Sequence, residues 1–192
     1  MPSNAASNFG AREREKLQLM SATEIDRTLV RLAHEILERH NGIANVAFVG
    51  VCRRGAPLAE RLARKIQDIE KVGPPVHALD VTFFRDDLSI AEMKPGARQG
   101  PSAYSVENRD VILVDDVLYT GRTTRAALDA LLQHGRPRRV ELCVLIDRGH
   151  RELPIQAHYV GRIVQTSDSE IIDVRLQEID GEDRVILCER SA

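Results

Sequence analysis

Three short apolar runs, separated by segments with helical periodicity, most constrain how this 192-residue chain can fold. The runs are Val46–Val51, Val111–Val114 and Val140–Ile146, and such short, nearly continuous apolar runs are typical of parallel strands buried on both faces. Helical patterns follow the first two runs, from Pro57 to about Glu70 and from Thr123 to His134, where Gly135 ends the second. Strands that alternate with helices form βαβ units. The sequence therefore predicts an α/β fold with a mostly parallel central sheet flanked by helices.

The two ends of the chain differ from this pattern. Residues 1–20 are interpreted as a polar N-terminal tail, and residues 21–192 as a single domain. Ser21 and Glu24 form a capping-box pattern at the start of a first helix, and Gly42 lies just past its end. Near the C-terminus, strand-like segments flank Asp180–Gly181, a dipeptide typical of hairpins. We expect a small antiparallel addition within about residues 150–192.

Composition and charge exclude several classes of protein. No apolar stretch approaches the roughly 18 residues that span a bilayer, and the first residues contain no apolar signal-peptide core. Cys52, Cys143 and Cys188 are odd in number and far apart, which fits neither a disulfide framework nor a zinc cluster. We therefore expect a cytoplasmic protein without membrane association. The net charge of −2 argues against bulk coating of nucleic acid but leaves room for a local basic patch.

The most informative segment is Val111–Thr123, in which a buried strand ends in two adjacent carboxylates, Asp115 and Asp116. A short loop with hydroxyl groups and Gly121 follows, and then a helix begins. Ligands of open parallel sheets bind beyond the carboxyl ends of the strands, and a helix N-terminus binds phosphate through free N–H groups. Two carboxylates beside a phosphate repel it, so their presence there implies another role. They could accept hydrogen bonds from ribose hydroxyls or hold Mg²⁺. The segment therefore predicts a site for a phosphorylated ribose.

Val111–Thr123 resembles the 5-phosphoribosyl-1-pyrophosphate (PRPP) motif of the type I phosphoribosyltransferases. Three further segments, Phe84–Leu88, Gly135–Pro137 and Asp147–Pro154, are similar to a subgroup of that family. Its members combine uracil phosphoribosyltransferase activity with regulation of pyrimidine operons. The resemblance runs from about Met20 to Glu189. It implies a Rossmann-like type I phosphoribosyltransferase core with a small C-terminal hood and β-hairpin.

The resemblance implies roles for individual residues. The expected contacts to PRPP and UMP are Arg53, Arg54, Gly55, Arg85, Asp115, Asp116, Val117, Leu118, Tyr119, Thr120, Gly121, Arg122 and Thr123. Asp115 and Asp116 resemble the pair that binds the ribose 2′ and 3′ hydroxyls, and with Arg85 they are the expected catalytic residues. They would contact Mg²⁺ only indirectly, through PRPP. Arg148, Tyr159 and Val160 are similar to the part that holds the uracil ring.

Two segments resemble the parts that handle pyrophosphate. Cys52–Gly55 occupies the place of the pyrophosphate loop, with Arg53 where the family usually has threonine. Leu88–Asn108 resembles the flexible flap that closes over the reacting centre and excludes water. Mg²⁺ together with Arg54 and Arg85 would stabilise the departing anion. Tyr119 stands where many purine-specific relatives have an acid, and we assign no general base.

A regulatory role would need a surface for RNA. Along the first helix, Arg27, Arg31, His34 and Glu38 fall on one stripe opposite the apolar face, and further arginines could extend it. The expected RNA contacts are Arg27, Arg31, His34, Arg39, Arg151 and Arg162. A solvated helix face or a contact between subunits explains the same stripe. Val30 and Gln156 depart from residues frequent in the subgroup.

These observations predict an enzyme that converts uracil and PRPP to UMP and pyrophosphate with Mg²⁺. The same protein would regulate pyrimidine genes by UMP-dependent binding to a pyrimidine-operon mRNA leader, and it would self-associate as a homo-oligomer. One alternative is a protein that is mainly an RNA-binding regulator and uses the PRPP and UMP pocket as a sensor, with weak catalysis. Another is a phosphoribosyltransferase that acts on a different base.

Overall fold

A computed structural model describes residues 13–82 and 104–190. The elements, in chain order, are β1 (Glu13–Ser21), α1 (Ala22–His40), β2 (Val46–Val51), α2 (Gly55–Glu70), β3 (Val76–Leu79), β4 (Asp110–Leu118), α3 (Arg122–Leu131), β5 (Arg139–Asp147), β6 (Tyr159–Ile163), β7 (Glu170–Arg175), α4 (Gln177–Asp180) and β8 (Arg184–Arg190). A turn of 3₁₀ helix, Leu132–His134, extends α3. Every helix and strand predicted from the apolar runs is present. Strand β6 was not predicted, because its sequence is partly polar.

The central sheet has the strand order β3-β2-β4-β5-β6, and all neighbouring pairs are parallel. Its two faces bury alternate residues of each strand, as the pleat requires. Phe48 and Ile112 pack on one face against α1 and α2, whereas Val49 and Leu113 pack on the other against α3. This arrangement confirms the predicted α/β fold and brings the carboxyl ends of β2 and β4 to one edge.

A second, antiparallel sheet has the order β1-β8-β7 and forms the hood. The interpretation of residues 13–20 as a tail is wrong, because they form β1, with Leu17 opposite Leu187 and Met20 opposite Val185. Strand β1 pairs with residues far along the chain, and one of its faces is exposed, with Leu17 59% exposed. Because its sequence is mostly polar, no apolar pattern predicted a strand there. The expected β7–β8 hairpin is present, but α4 lengthens its connection.

Helix α1 begins and ends as the sequence predicted. The Ser21 hydroxyl accepts a hydrogen bond from the backbone N–H of Glu24, whose carboxylate in turn accepts the Ser21 backbone N–H at 2.8 Å. Asn41 ends the helix in the left-handed conformation, with φ 51°. Among the helices in residues 13–82 and 104–190, none is long and apolar enough to span a membrane.

Candidate active site

The two adjacent carboxylates lie near the end of the central strand β4. Asp115 is only 7% exposed and Asp116 is partly buried. One oxygen of each accepts a hydrogen bond from the next backbone N–H, Asp116 N to Asp115 Oδ1 and Val117 N to Asp116 Oδ1, both at 2.9 Å. These local bonds fix the orientation of both side chains. Oriented carboxylates can accept a pair of hydrogen bonds from hydroxyl groups, as from a ribose diol.

Burial disfavours the ionised form of this carboxylate pair, whereas one arginine favours it. Burial raises the pKa of Asp116, while a hydrogen bond with Asp115 and the positive charge of Arg54 act in the opposite direction. The field of Arg54 therefore reaches the carboxylate pair from the loop that joins β2 to α2. An anion that binds beside the pair would find this positive charge in place.

That loop approaches β4 closely because of its glycine. A Cβ on Gly55 would lie 2.3 Å from the Val114 carbonyl oxygen and 3.2 Å from Asp115 Cα, so a larger residue would push α2 away from the strand. The preceding Cys52–Arg53 peptide bond is cis. The Arg53 side chain is exposed, whereas that of Arg54 is mostly buried, with 19% of it accessible. The Cys52–Gly55 loop thus lies beside the strand that carries the carboxylates, and its role as a pyrophosphate loop stays a prediction.

The loop after β4 presents the N-terminus of a helix. Gly121 caps α3 in the left-handed region at φ +92°, which a side chain rarely adopts. The Thr120 hydroxyl accepts the backbone N–H of Arg122 at 3.4 Å, and the remaining N–H groups of the first turn begin beyond it. A Cβ on Gly121 would press on Ile155 at 3.3 Å. This end of α3 has the properties of a phosphate-binding site.

Residues 147–155, which we call the strap, hold that loop by its backbone. The carbonyl oxygen of Thr120 accepts N–H groups of Glu152 and Leu153 at 3.0 and 3.1 Å, and that of Leu118 accepts the N–H of Arg148 at 3.1 Å. The Arg151 guanidinium donates to the Tyr119 carbonyl oxygen at 2.7 Å. Three consecutive carbonyl groups of the loop are therefore anchored to the strap.

Arg151 was expected on an RNA surface, but the structure uses its side chain internally. Besides Tyr119, its guanidinium donates to the carbonyl oxygens of Gly149 and Ile155, both at 3.0 Å, and pairs with Asp147 at 2.5 Å. Only 23% of the side chain is exposed. RNA contact at Arg151 stays a prediction, and in this structure its guanidinium donates to the strap and the loop.

Arg148 is buried beside the same loop. Its guanidinium lies over the ring of Tyr119, with 4.0 Å between the guanidinium carbon and the ring centroid, and donates to the Glu170 carbonyl oxygen at 2.8 Å and to Thr166 Oγ1 at 3.1 Å. These contacts join the loop after β4 to the start of β7. Arg148 is therefore close to the expected base pocket, and its role toward a base stays a prediction.

Tyr159, in contrast, faces away from the strand ends. Its ring is fully buried, and its hydroxyl donates to Glu141 Oε2 at 2.7 Å, which also contacts His40 Nε2 at 2.8 Å. Tyr159 pairs in register with Cys143, well before β5 ends at Asp147. The prediction of a uracil contact is thus wrong for the Tyr159 side chain. The neighbouring Val160 is partly buried against the core, and its carbonyl oxygen accepts a hydrogen bond from Arg31 Nη2 at 2.9 Å.

Arg85, the Phe84–Leu88 segment and most of the expected flap lie outside the described residues. Beyond that gap, Tyr104 lies in parallel between the rings of His77 and His134, with centroid distances of 4.0 and 4.3 Å. Sequence analysis did not single out this stack, because its members are far apart along the chain. It anchors the described chain where the expected flap ends.

The arginines of α1 lie beside strand β6. Arg27, Arg31, His34 and Arg39 are all exposed residues of that helix. A Cβ on Gly161 would lie 2.9 Å from Thr28 Cγ2, which shows how closely α1 and β6 approach. Arg31 also donates to the Gly161 carbonyl oxygen at 2.7 Å, Arg39 lies over the Tyr159 ring, and Arg162 donates to the Leu19 carbonyl oxygen. Five of the six predicted RNA contacts thus lie on α1 or on β6, two elements that pack against each other, and RNA binding there stays a prediction.

The carboxylate pair fits Mg²⁺ in the chemistry of its donors, since hard carboxylate oxygens suit this ion. Among residues 13–82 and 104–190 there is no cluster of three or more His, Cys, Asp or Glu side chains suited to a metal. Mg²⁺ keeps several waters and is commonly bound by one or two carboxylates together with substrate phosphates. The pair is suited to that second mode.

Comparison with known proteins identifies the family. The phosphoribosyl transferase domain matches residues 18–179. The bifunctional protein PyrR of Pelotomaculum thermopropionicum is 56% identical over 176 residues, which cover 92% of this chain and 97% of that protein. The protein of that name from Deinococcus radiodurans is 54% identical over 172 residues, covering 90% and 94%.

Solved structures agree in fold. The hypoxanthine phosphoribosyltransferase of Trypanosoma cruzi superposes with a TM-score of 0.68 at 18% identity, covering 93% of this chain and 98% of that one. The enzyme of that name from Staphylococcus aureus gives 0.67 at 20% identity, covering 90% and 92%. The predicted type I phosphoribosyltransferase fold is confirmed. Because the family domain spans residues 18–179 and relatives that are 54% and 56% identical cover at least 90% of the chain, the chain belongs to the phosphoribosyltransferase family and, within it, to the bifunctional PyrR proteins.

Proposed function

We propose that this protein, acting in the cytoplasm, transfers the phosphoribosyl group of PRPP to uracil, releasing UMP and pyrophosphate. We further propose that it regulates pyrimidine biosynthesis genes by UMP-dependent binding to mRNA. The observation that supports the first activity is the position of Asp115 and Asp116. They lie at the end of β4 between the loop that carries Arg54 and the N-terminal end of α3.

Each part of this arrangement suits one part of PRPP. The first turn of α3 and the Thr120 hydroxyl would hold the 5′-phosphate, because N–H groups and the helix dipole attract anions there. Asp115 and Asp116 would accept hydrogen bonds from the ribose hydroxyl groups. Arg54 would face the pyrophosphate. Mg²⁺ bound with the substrate would supply further neutralisation of the leaving anion.

The reaction would break the bond between the anomeric carbon and the pyrophosphate oxygen and form a bond from that carbon to a uracil nitrogen. Positive charge develops on the ribose ring as the anion leaves. The Asp115 and Asp116 carboxylates oppose that positive charge, while Arg54 binds the growing negative charge of pyrophosphate. Interactions that strengthen as charge separates lower the barrier. The proton from uracil passes to solvent or product phosphate, and we assign no protein base.

The decisive experiment incubates purified protein with labelled uracil, PRPP and Mg²⁺ and follows UMP. We expect steady UMP formation that falls about 100-fold or more in Asp115→Asn, since a charged hydrogen-bond partner of the substrate is lost. Asp129→Asn, on the exposed side of α3, is the matched control and should behave as wild type. Product formation with hypoxanthine but not uracil would support the alternative base. Tight UMP binding without turnover would support the sensor alternative.

The regulatory activity is supported by the grouped arginines of α1 and β6. RNA binding through phosphate contacts weakens steeply with salt. We expect a pyrimidine-operon leader RNA to bind more tightly with UMP, and the joint change of Arg27 and His34 to glutamine to weaken binding and flatten its salt dependence. Arg64→Gln on α2 is the control, since its side chain is 64% exposed, pairs with Glu60 and is not among the predicted RNA contacts. If the variant instead loses self-association, measured by light scattering, the face is a subunit contact of the expected homo-oligomer.

A further inference from the structure

The hood contacts the candidate pyrophosphate loop through a two-pronged ion pair. Arg54 Nε and Nη2 donate to the two carboxylate oxygens of Asp180, at 3.3 and 3.0 Å. Both side chains are mostly shielded from solvent, with 19% and 16% accessible. A two-pronged pair fixes the plane of the guanidinium as well as its place. Residue Asp180 ends α4, which lies 126 positions along the chain from Arg54.

Asp180 is itself held firmly. Its Oδ2 accepts the backbone N–H of Leu176 at 3.0 Å, and its own N–H donates to the Leu176 carbonyl oxygen at 2.7 Å. An arginine within α2, Arg61, pairs with Glu178 at 2.5 Å and with Asp183 at 2.7 Å. Helix α4 is therefore tied to the loop before α2 by the Arg54 pair and to α2 itself by the pair of Arg61 with Glu178, and the charge of Arg54 also acts on Asp116 of β4.

The ion pair uses one edge of the guanidinium. Nε and one Nη2 proton go to Asp180, while Nη1 and the second Nη2 proton lie outside that pair. Arg54 directly precedes Gly55, whose Cβ position would lie 3.2 Å from Asp115 Cα, and the positive charge of Arg54 acts to lower the pKa of Asp116. An arginine held by one carboxylate loses less freedom when its other edge binds an anion.

We propose that Asp180 is a positioning residue that holds Arg54 by one edge so that the other edge binds the pyrophosphate group. The proposal rests on the proposed transferase activity. Asp180 itself contacts neither the ribose nor the base. Its removal should therefore weaken binding of the pyrophosphate part while leaving that of UMP intact, because UMP lacks this group.

The test compares Asp180→Asn with Glu178→Gln. Asparagine keeps an oxygen for the Leu176 N–H, so the turn of α4 is retained, but the charged pair with Arg54 is lost. Glu178→Gln weakens the other hood contact of α2 without touching Arg54. For each variant we would measure kcat and the KM for PRPP. We would also measure the Kd values of UMP and of inorganic pyrophosphate with Mg²⁺. Arg54→Lys and the double variant complete a cycle.

For Asp180→Asn we expect about a tenfold rise in KM for PRPP and in Kd for pyrophosphate, with UMP affinity unchanged and Glu178→Gln within about twofold of wild type. In the Arg54→Lys background, Asp180→Asn should add little. Equal effects of the two hood variants, or a parallel loss of UMP affinity, would overturn the proposal. If wild type binds pyrophosphate and UMP but forms no UMP, the transferase fails while the binding comparison still tests Asp180.

Discussion

The guanidinium of Arg151 donates a hydrogen bond of 2.7 Å to the carbonyl oxygen of Tyr119. This bond joins the strap to the loop that precedes α3. Because the strap holds the carbonyl groups of the loop, the backbone of the loop is already ordered before an anion binds. Binding therefore costs little conformational entropy. An exposed arginine could instead bind RNA. Whether an arginine binds RNA or an internal acceptor depends on the groups that surround it.

Changing Arg151 to lysine should lower the affinity for UMP about tenfold, because an ammonium cannot reach the several acceptors that the guanidinium fork bridges. Isothermal titration with UMP measures it. Arg125→Lys, whose side chain pairs with Asp129 on the exposed face of α3, is the control and should change little. Unchanged UMP affinity together with lost RNA binding would contradict this expectation and assign Arg151 to an RNA-binding surface.

Replacing Gly55 with alanine should displace α2 from β4. The added Cβ would meet the Val114 carbonyl oxygen at 2.3 Å, and backbone cannot yield as a flexible side chain does. We expect a loss of about 1–3 kcal/mol in the free energy of unfolding and a raised KM for PRPP. Gly73→Ala, where the nearest atom would be 3.5 Å away, serves as the control. Wild-type KM in Gly55→Ala would contradict the close approach.

Tyr159→Phe separates a core role from a role in base binding. Removal of the hydroxyl takes one donor from the Glu141 carboxylate, which keeps its contact with His40. We expect a cost of about 1–3 kcal/mol in denaturant unfolding and an unchanged KM for uracil. A raised KM for uracil at unchanged stability would show that the ring lines the base pocket.

Glu170 should make stability sensitive to acid. The Ser167 backbone N–H and the Lys16 ammonium lower its pKa to about 2. Because the folded pKa is depressed, the stabilisation is complete above the unfolded value of about 4.3 and is lost as pH falls toward 2. The gap in urea midpoint between wild type and Glu170→Gln should therefore shrink from pH 7 to pH 3. Lys16→Gln should reproduce part of this change, and a gap that widens in acid would contradict it.

Local signals determined much of the fold. The apolar run before Asp115 predicted β4, and the pairing of Ser21 with Glu24 predicted the start of α1. The carboxylates and the phosphate-type helix end were predicted too, because all their determinants lie within Val111–Thr123. Short-range patterns of this kind depend on backbone geometry that neighbouring residues set.

Contacts between segments that are distant in the chain could not be predicted from such local patterns. Strand β1 needs β8 as its partner, and a polar edge strand has no pattern of its own. Tyr159 and Arg151 carry side chains that suit a binding surface as well as an interior, and only packing against Glu141 or the strap assigns them.

By itself, then, the sequence determined the α/β architecture, the carboxylate pair and the phosphate-type loop. Tertiary structure alone decided which arginines remain on the surface and which bind internal acceptors. It also decided that Arg54 meets Asp180 of the hood. The physical reason is that a charged side chain is satisfied by whichever acceptor folding brings within about 3 Å, and that acceptor is often remote in the chain.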